Sequence, residues 1–297
     1  MIIDRRRLLS GFSASVLVSR VAQAAIVTDA AGRAVTIPEK VERIFPAGPP
    51  AAILLYTLAP ELLLGWTRSP EPVQCTFLGP GACDKPEVGR LTGRRNTTNL
   101  EVLLSLKPDL ILDVGTINDT YVSLATRVQE QSGIPYALLD GRFDAVVPLY
   151  RKLGELTHRP DQAEALARYA DETIRIDAVS EAQRPRVYYG RGPNGLETGL
   201  GGSINVETIE FLGAHNVAAE RRGGLATVSV EQVLAWNPEV IITIEPAFAT
   251  TVRTDPVWAP IKAVQTGRIY LSPRLPFRFY HMTPSDEQID NVLSGQG

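Results

Sequence analysis

The chain has few of the side chains that bind transition metals, with 3 histidines and 2 cysteines among 297 residues. His158, His215 and His281 are dispersed, and no pair of carboxylates joins them at the spacing of metal ligands. Direct binding of a bare metal ion is therefore disfavoured. The sequence also has no nucleophile elbow, no P-loop and no acid pair spaced for hydrolysis, which disfavours the common hydrolytic and nucleotide-dependent enzymes.

The first 24 residues have the pattern of an export signal. Three arginines, Arg5 to Arg7, precede a short apolar stretch that is too short and too polar to remain in a bilayer as a helix. Adjacent arginines before an apolar stretch indicate the twin-arginine route, with the general secretory route as the alternative. The small-x-small pattern Ala22-Gln23-Ala24 predicts that the mature chain begins at Ala25 in the periplasm.

Three features of the predicted mature chain limit its possible partners. No cysteine lies at the cleavage point, so we expect no lipid anchor and a protein that is not embedded in the membrane. Removing residues 1–24 takes away four arginines and one aspartate and changes the formal net charge from −3 to −6. An acidic chain disfavours nucleic acid as a partner. No coiled-coil pattern calls for a second copy, so we expect a monomer.

The two cysteines, Cys75 and Cys83, flank a segment rich in glycine and proline. In an oxidising compartment such a turn can bring the two sulfurs together. A structural disulfide is the favoured interpretation and two free thiols are the alternative. A metal site is disfavoured because no histidine accompanies the two cysteines.

Short apolar runs alternate with helical stretches along the chain, which predicts an α/β fold with parallel sheets covered by helices. The length predicts two domains. The predicted strands are residues 43–45, 110–114, 136–139, 186–189, 240–244 and 268–271. Two of the predicted helices cover residues 51–65 and 119–132.

An internal repeat predicts two lobes of similar construction. Residues 99–112 recur as residues 229–242, so that Glu101 corresponds to Glu231 and Pro108 to Pro238. In each copy a polar residue caps a short helix, and the glutamate lies in its first turn, where the helix dipole favours negative charge. The proline ends the helix before a buried strand.

The middle of the chain, residues 143–183, is its longest helical stretch and is interrupted only near Pro160. Its second part, from Asp161, carries an apolar stripe and predicts a helix of about 22 residues, or about 33 Å. Such a helix would hold two lobes at a fixed separation with a cleft between them. We therefore expect an N-terminal lobe of residues 25–142 and a C-terminal lobe of residues 184–297.

The export signal, the two α/β lobes, the connecting helix and the repeated glutamate resemble the class III periplasmic binding proteins of ABC importers. The likeness covers about residues 27–276 and is strongest in the two repeats and in residues 186–189 and 205–216. It implies a periplasmic protein that captures an iron complex and passes it to a permease. A ferric siderophore is the first expectation, and haem or cobalamin comes next. Enzymatic activity and a resident cofactor are not expected.

The resemblance also implies a docking surface. In that family one surface glutamate on each lobe pairs with arginines of the permease, and the matching residues are Glu101 and Glu231. The alternative is that both glutamates only complement the dipoles of their helices. The chain departs from the family after Tyr280, where a polar tail replaces the usual closing helix. We therefore expect a C-terminal lobe that is truncated or frameshifted.

The ligand cleft is predicted from the strand order. Ligands of parallel α/β sheets bind at the carboxyl ends of the strands, so the loops that follow the predicted strands should line the cleft. Arginines and aromatic rings in these loops suit a bulky chelate with anionic oxygens. For each residue, a surface ion pair or a buried ring is the alternative. The predicted ligand-binding residues are Tyr121, Arg142, Phe143, Tyr189, Arg191, Phe248, Arg274 and Phe277.

An exported dinucleotide-binding enzyme is the alternative function. Gly190, Gly192 and Gly195 fit the glycine pattern of such sites and follow a predicted strand. The pattern needs a helix that opens at these glycines. Pro193 and the glycine-rich residues 199–202 instead favour a loop, so the match is weak.

Overall fold

The computed structural model describes residues 25–92, 97–174 and 184–273. The predicted export signal and the C-terminal tail lie outside these residues. The strands are β1 (Ala25–Thr28), β2 (Ala34–Ile37), β3 (Ile44–Pro46), β4 (Leu110–Gly115), β5 (Tyr136–Asp140), β6 (Arg186–Gly190), β7 (Glu197–Gly199), β8 (His215–Asn216), β9 (Leu225–Thr227), β10 (Val240–Thr243) and β11 (Ile269–Leu271). The helices are α1 (Pro49–Leu58), α2 (Pro72–Cys75), α3 (Leu100–Leu106), α4 (Asp119–Ser132), α5 (Val146–Thr157), α6 (Pro160–Thr173), α7 (Glu207–Phe211), α8 (Val230–Trp236), α9 (Pro246–Thr251) and α10 (Lys262–Gln265).

The N-terminal lobe is built on the parallel sheet β3-β4-β5, which is covered by helices on both faces. Leu110 and Leu112 of β4 pack with α1, α5 and α6, whereas Ile111 packs with Leu103 of α3 and Val128 of α4. This alternation follows from the period of two in a strand, because neighbouring side chains point to opposite faces. The central strand is therefore apolar on both faces, as a buried parallel sheet requires.

The C-terminal lobe has a second parallel sheet, of order β11-β10-β6-β8. Tyr188, Ile241 and Phe248 belong to a core that includes residues of α8, α9 and α10. The strands β7 and β9 form a separate antiparallel pair. The prediction of an α/β fold with two parallel-sheet lobes is confirmed.

The two repeats form equivalent helices. The Asn99 side chain accepts a hydrogen bond from the Val102 backbone N–H at the start of α3, and the Ser229 side chain accepts one from the Gln232 N–H at the start of α8. Lys107 and Asn237 end these helices in the left-handed conformation, with φ of 48° and 42°. Each lies directly before a proline, which disfavours the right-handed helical conformation of the residue preceding it.

Helix α1 begins at two prolines and ends earlier than the sequence predicts. Prolines suit the first turn because its N–H groups have no partner within the helix. The predicted end of this helix at residue 65 is wrong, since the helix stops at Leu58. Ala59 precedes Pro60, which opposes continuation of the helix.

The described part of the connecting segment is a helical hairpin. Helices α5 and α6 pack against each other where Gly154 lies against Ala163, and His158 ends α5 with a φ of 55°. Leu153 and Ala163 belong to the core of the N-terminal lobe, so residues 146–173 are part of that lobe's packing. Helix α6 ends at Thr173 with Ile174 as its C-cap, so the predicted single helix of about 22 residues from Asp161 is wrong in length. Residues 175–183 lie outside the described residues. In the described ranges, no helix combines the length and the apolar character that a membrane crossing would require.

Candidate ligand-binding cleft

A cavity of about 390 Å³ lies between the two lobes. It adjoins the carboxyl ends of β4 and β6, at Gly115 and Arg191, as expected for ligand sites of parallel sheets. Its polar lining comes from both lobes and consists chiefly of Arg90, Thr92, Asp113, Thr116, Arg191 and Asn205.

Two arginines from opposite lobes line this cleft. Arg90 belongs to the N-terminal lobe, and its backbone carbonyl accepts hydrogen bonds from the N–H groups of Thr97 and Thr98. Arg191 belongs to the C-terminal lobe, is only 9% exposed and donates from Nη1 to Asn205 Oδ1 at 3.1 Å. The cleft therefore carries positive charge on both walls, which suits an anionic ligand.

Asp113 forms a buried hydrogen-bonded network in the N-terminal wall. Its Oδ1 atom lies 3.2 Å from the Thr92 hydroxyl and accepts from the Val114 N–H, while its Oδ2 accepts from the Tyr136 hydroxyl at 3.1 Å. Burial raises the pKa of Asp113, whereas the hydrogen bonds from Tyr136, Thr92 and Val114 lower it. Burial also raises the pKa of Tyr136, and the charge of Asp113 adds to that rise.

Helix α1 points its N-terminus at the cleft but offers few donors there. Pro49 and Pro50 line the cavity and have no N–H group. Gly48, the N-cap residue, packs so closely that an added Cβ would lie 2.6 Å from Thr92 Oγ1. Anion binding at this end of the cleft therefore depends on side chains rather than on the helix terminus.

The predicted ligand-binding residues other than Phe143 divide into four groups. Tyr121 and Arg191 line the cleft. Arg142 is exposed and pairs with Asp140 at 2.8 Å, which raises the pKa of the Arg142 guanidinium. Tyr189 and Phe248 are buried in the C-terminal lobe, and Phe248 is only 1% exposed. Arg274 and Phe277 lie outside the described residues.

Phe143 has a role that the sequence did not indicate, because it joins the two lobes. Its ring packs on Phe211 of α7 with the ring centroids 4.7 Å apart, and its backbone N–H donates to Glu207 Oε2 at 2.8 Å. Burial raises the pKa of Glu207, and the nearby charges of Asp144 and Asp140 add to that rise. The pKa of Glu207 is lowered by the hydrogen bond from the Phe143 N–H and by the charge of the Arg142 guanidinium.

The glycine-rich segment after β6 does not form a dinucleotide site. Gly192 and Gly195 shape a tight turn with φ of 76° and 68°, and the chain then returns as β7 through a bridge between Arg191 and Glu197. No helix opens here; the next helix along these described residues is α7. Gly195 instead lies directly against the Phe248 ring, and its carbonyl accepts from the Tyr188 hydroxyl at 2.6 Å.

Five polar cleft residues were not among the predicted ligand-binding residues: Arg90, Thr92, Asp113, Thr116 and Asn205. Asp113 carried a usable signal, since it is the one charged residue inside the apolar run 110–114. No such signal marks Arg90 and Thr92 in the sequence, because neither residue belongs to a periodic apolar pattern. Thr92 reaches the cleft through a hydrogen bond from its N–H to the Ala47 carbonyl, 45 residues away.

The predicted docking and cysteine residues lie on the surface of the lobes. Glu101 and Glu231 are exposed in the first turns of α3 and α8. A hydrogen bond with Ser229 lowers the pKa of Glu231. Cys75 and Cys83 form a disulfide, with their Cα atoms 5.6 Å apart.

Comparisons with known proteins agree with this architecture. The sequence profile of the family described as "Periplasmic binding protein" matches residues 82–274. The molybdate-binding protein MolA of Haemophilus influenzae is 29% identical over 90% of this chain and 81% of that protein. A cobalamin-binding protein of Halobacterium salinarum is 28% identical over 82% of this chain and 64% of that protein.

Solved structures show the same fold. A solute-binding protein of an ABC transporter from Sulfurospirillum deleyianum superposes with a TM-score of 0.73 and 29% identity, over 90% of this chain and 86% of that one. MolA bound to molybdate superposes with a TM-score of 0.72 and 23% identity, over 92% of both chains. These relatives are solute-binding proteins rather than enzymes. The chain belongs to the periplasmic binding protein family, as a class III binding protein of ABC importers.

Proposed function

We infer that this protein captures a small oxyanion in the periplasm for an ABC importer, with molybdate as the first candidate. The observation that carries this inference is the pair Arg90 and Arg191, which line one cleft from opposite lobes. Guanidinium groups pair with tetrahedral oxyanions through charge-assisted hydrogen bonds. A ligand held between the two walls would also link the lobes.

The size of the cleft supports a small ligand. Its volume of about 390 Å³ lies near the lower end of the range of about 300 to 1,000 Å³ that small-molecule sites span. The hydroxyl of Thr116 and the amide of Asn205 supply further polar groups for an oxyanion. The similarity to a molybdate-binding protein over 90% of the chain agrees with this assignment.

An anionic iron chelate, such as a ferric siderophore, is the second candidate. Tyr121 lines the cleft beside the two arginines, and an aromatic ring with guanidinium groups suits the organic frame and anionic oxygens of a chelate. A bulky chelate would need more room than the present cavity provides, so it requires the lobes to move apart. The oxyanion requires no such movement.

Calorimetric titration of the protein purified from the periplasm tests the proposal. We expect molybdate to bind and the Arg90→Gln variant to bind it about tenfold or more weakly, because a charge-assisted hydrogen bond contributes about 1.5 to 3 kcal/mol. The matched control is Arg151→Gln, an exposed arginine on α5 that pairs with Glu164 away from the cleft. Binding of a ferric siderophore without binding of molybdate, tungstate or sulfate would favour the second candidate and contradict the first.

Delivery to the permease is the other half of this function. Glu101 and Glu231 are exposed, occupy the same position in equivalent helices and lie one on each lobe. A permease that contacts both lobes at once through arginines would match this arrangement. The two glutamates therefore form the proposed docking pair.

A further inference from the structure

A buried carboxyl group lies in the wall of a cleft that otherwise favours anions. Asp113 lines the cavity and is only 5% exposed. In the described part of the chain it forms no ion pair, and its three hydrogen-bond partners, Thr92, Val114 and Tyr136, are neutral groups. An ionised carboxylate in this position would be desolvated without a compensating cation and would repel an anionic ligand.

The network around Asp113 can accept a proton without moving any heavy atom. The Thr92 hydroxyl lies 3.2 Å from Asp113 Oδ1 and 3.1 Å from the Ala47 carbonyl oxygen, and its single hydrogen can point to either. When Asp113 is ionised, that hydrogen serves the carboxylate. When Asp113 is protonated at Oδ1, the acid donates to Thr92 Oγ1 and the Thr92 hydrogen turns to Ala47. Tyr136 and Val114 donate in both states.

We propose that Asp113 is the proton-linked specificity residue of the cleft, which binds the anion tightly while its carboxyl is protonated and weakly once it ionises. This inference rests on the proposed oxyanion function. The charged or titratable groups around Asp113 and its partner Tyr136 are Arg90 and Arg191 on the cleft walls, Tyr121 on α4, Tyr136 on β5 and Arg33 before β2, whose charge lowers the pKa of Tyr136. A bound anion brings negative charge beside the Asp113 carboxyl, so it favours the protonated acid.

The linkage between protonation of Asp113 and anion binding gives the anion affinity a defined pH dependence. Asp113 has a folded-state pKa above its ordinary value, and an anion that prefers the protonated form raises it further. Anion affinity should then be constant below the pKa of Asp113 in the empty protein and fall about tenfold per pH unit between that pKa and the higher pKa of Asp113 in the complex, because one proton is linked to binding. Molybdate stays a dianion over this range, so its own titration does not contribute.

Two measurements test the proposal on the full-length mature protein, from about pH 5 to about pH 9. The first is molybdate titration in two buffers of different ionisation enthalpy, which counts protons taken up on binding. The second is the carboxyl carbon resonance of Asp113 in protein labelled with carbon-13 aspartate, assigned with Asp113→Asn. We expect proton uptake at the alkaline end and a carboxyl that titrates above the ordinary range of aspartate. Asp113→Asn should bind molybdate without the alkaline fall in affinity.

Tyr136→Phe provides an independent variant if Asp113→Asn does not fold. It keeps the buried ring but removes a hydrogen bond that lowers the pKa of Asp113, so the fall in affinity should move to higher pH. Two results would overturn the role of Asp113 alone. One is an oxyanion affinity that does not change with pH, and the other is an Asp113 carboxyl that titrates at or below the ordinary pKa of aspartate. Failure of the wild-type protein to bind any oxyanion at any pH would overturn the proposed function and the proton link with it.

Discussion

Phe143 of the N-terminal lobe and Phe211 of the C-terminal lobe pack ring against ring, with their centroids 4.7 Å apart. Phe143 follows β5 at the start of the connecting segment, and Phe211 is the last residue of α7. Glu207, on the same helix, accepts a hydrogen bond from the Phe143 N–H, so one element of each lobe contributes to the junction. This junction lies close to the cleft in sequence, because Asn205 precedes α7 by two residues.

Truncation of the Phe211 ring should loosen the lobes. Aromatic pairs contribute about 0.5 to 1.5 kcal/mol beyond the area they bury, so Phe211→Ala should lower the free energy of unfolding by about 1 kcal/mol. It should also increase the change in radius of gyration on ligand binding, which we expect to be small in the wild-type protein. X-ray scattering with and without molybdate measures this change. Tyr169→Ala, which removes a ring that is 70% exposed on α6, is the control and should change neither quantity.

Two glycines of the β6–β7 turn allow backbone strain to be separated from crowding. Gly192 and Gly195 both have a left-handed backbone, but an added Cβ meets no atom within 4 Å at Gly192 and collides with the Phe248 ring at Gly195. Gly192→Ala should cost about 1 kcal/mol from the backbone alone. Gly195→Ala should cost about 2 to 4 kcal/mol, since overpacking adds to the same strain. Urea unfolding of both variants measures the difference, and equal losses would contradict this assignment of Phe248 as the support of the turn.

Substitution of the docking pair should separate transport from binding. Glu101→Gln and Glu231→Gln keep side-chain shape and helix propensity while removing one charge each. Molybdate affinity should stay unchanged, and reconstituted uptake should fall about tenfold or more for each variant and further for the double variant. Glu155→Gln, an exposed glutamate on α5, is the matched control. A small loss of thermal stability with normal uptake by the double variant would leave only the helix-dipole role.

The sequence predicted the parts of the fold that local patterns determine. Helix 119–132 has the predicted bounds because Asn118 caps its start and Gly133 ends it in the left-handed conformation. The central strands begin and end within two residues of their predictions, since unbroken apolar runs indicate buried parallel strands. The hairpin of β1 and β2 was missed because its strands are only four residues long and mostly exposed on β1.

The composition of the cleft was harder to predict, for a physical reason. Tyr121 and Arg191 follow directly from the rule that ligands bind at the ends of parallel strands. Arg90 and Thr92 lie in the long, mostly irregular segment between α1 and α3, whose path depends on tertiary hydrogen bonds such as that from the Trp66 N–H to the Pro86 carbonyl. Phe248 was placed in the cleft by the same rule, but Pro246 starts a helix that turns its ring into the core.

The ring closed by Cys75 and Cys83 has a practical consequence for producing the protein. The Gly79 N–H donates to the Tyr56 hydroxyl, and the Ala82 carbonyl accepts from the Trp66 indole, so both sides of the ring are also held by groups other than sulfur. Material made in a reducing cytosol should therefore keep its cleft and differ by two thiols that alkylation can count. The number of alkylated thiols per molecule would therefore show what fraction of a preparation has passed through an oxidising compartment.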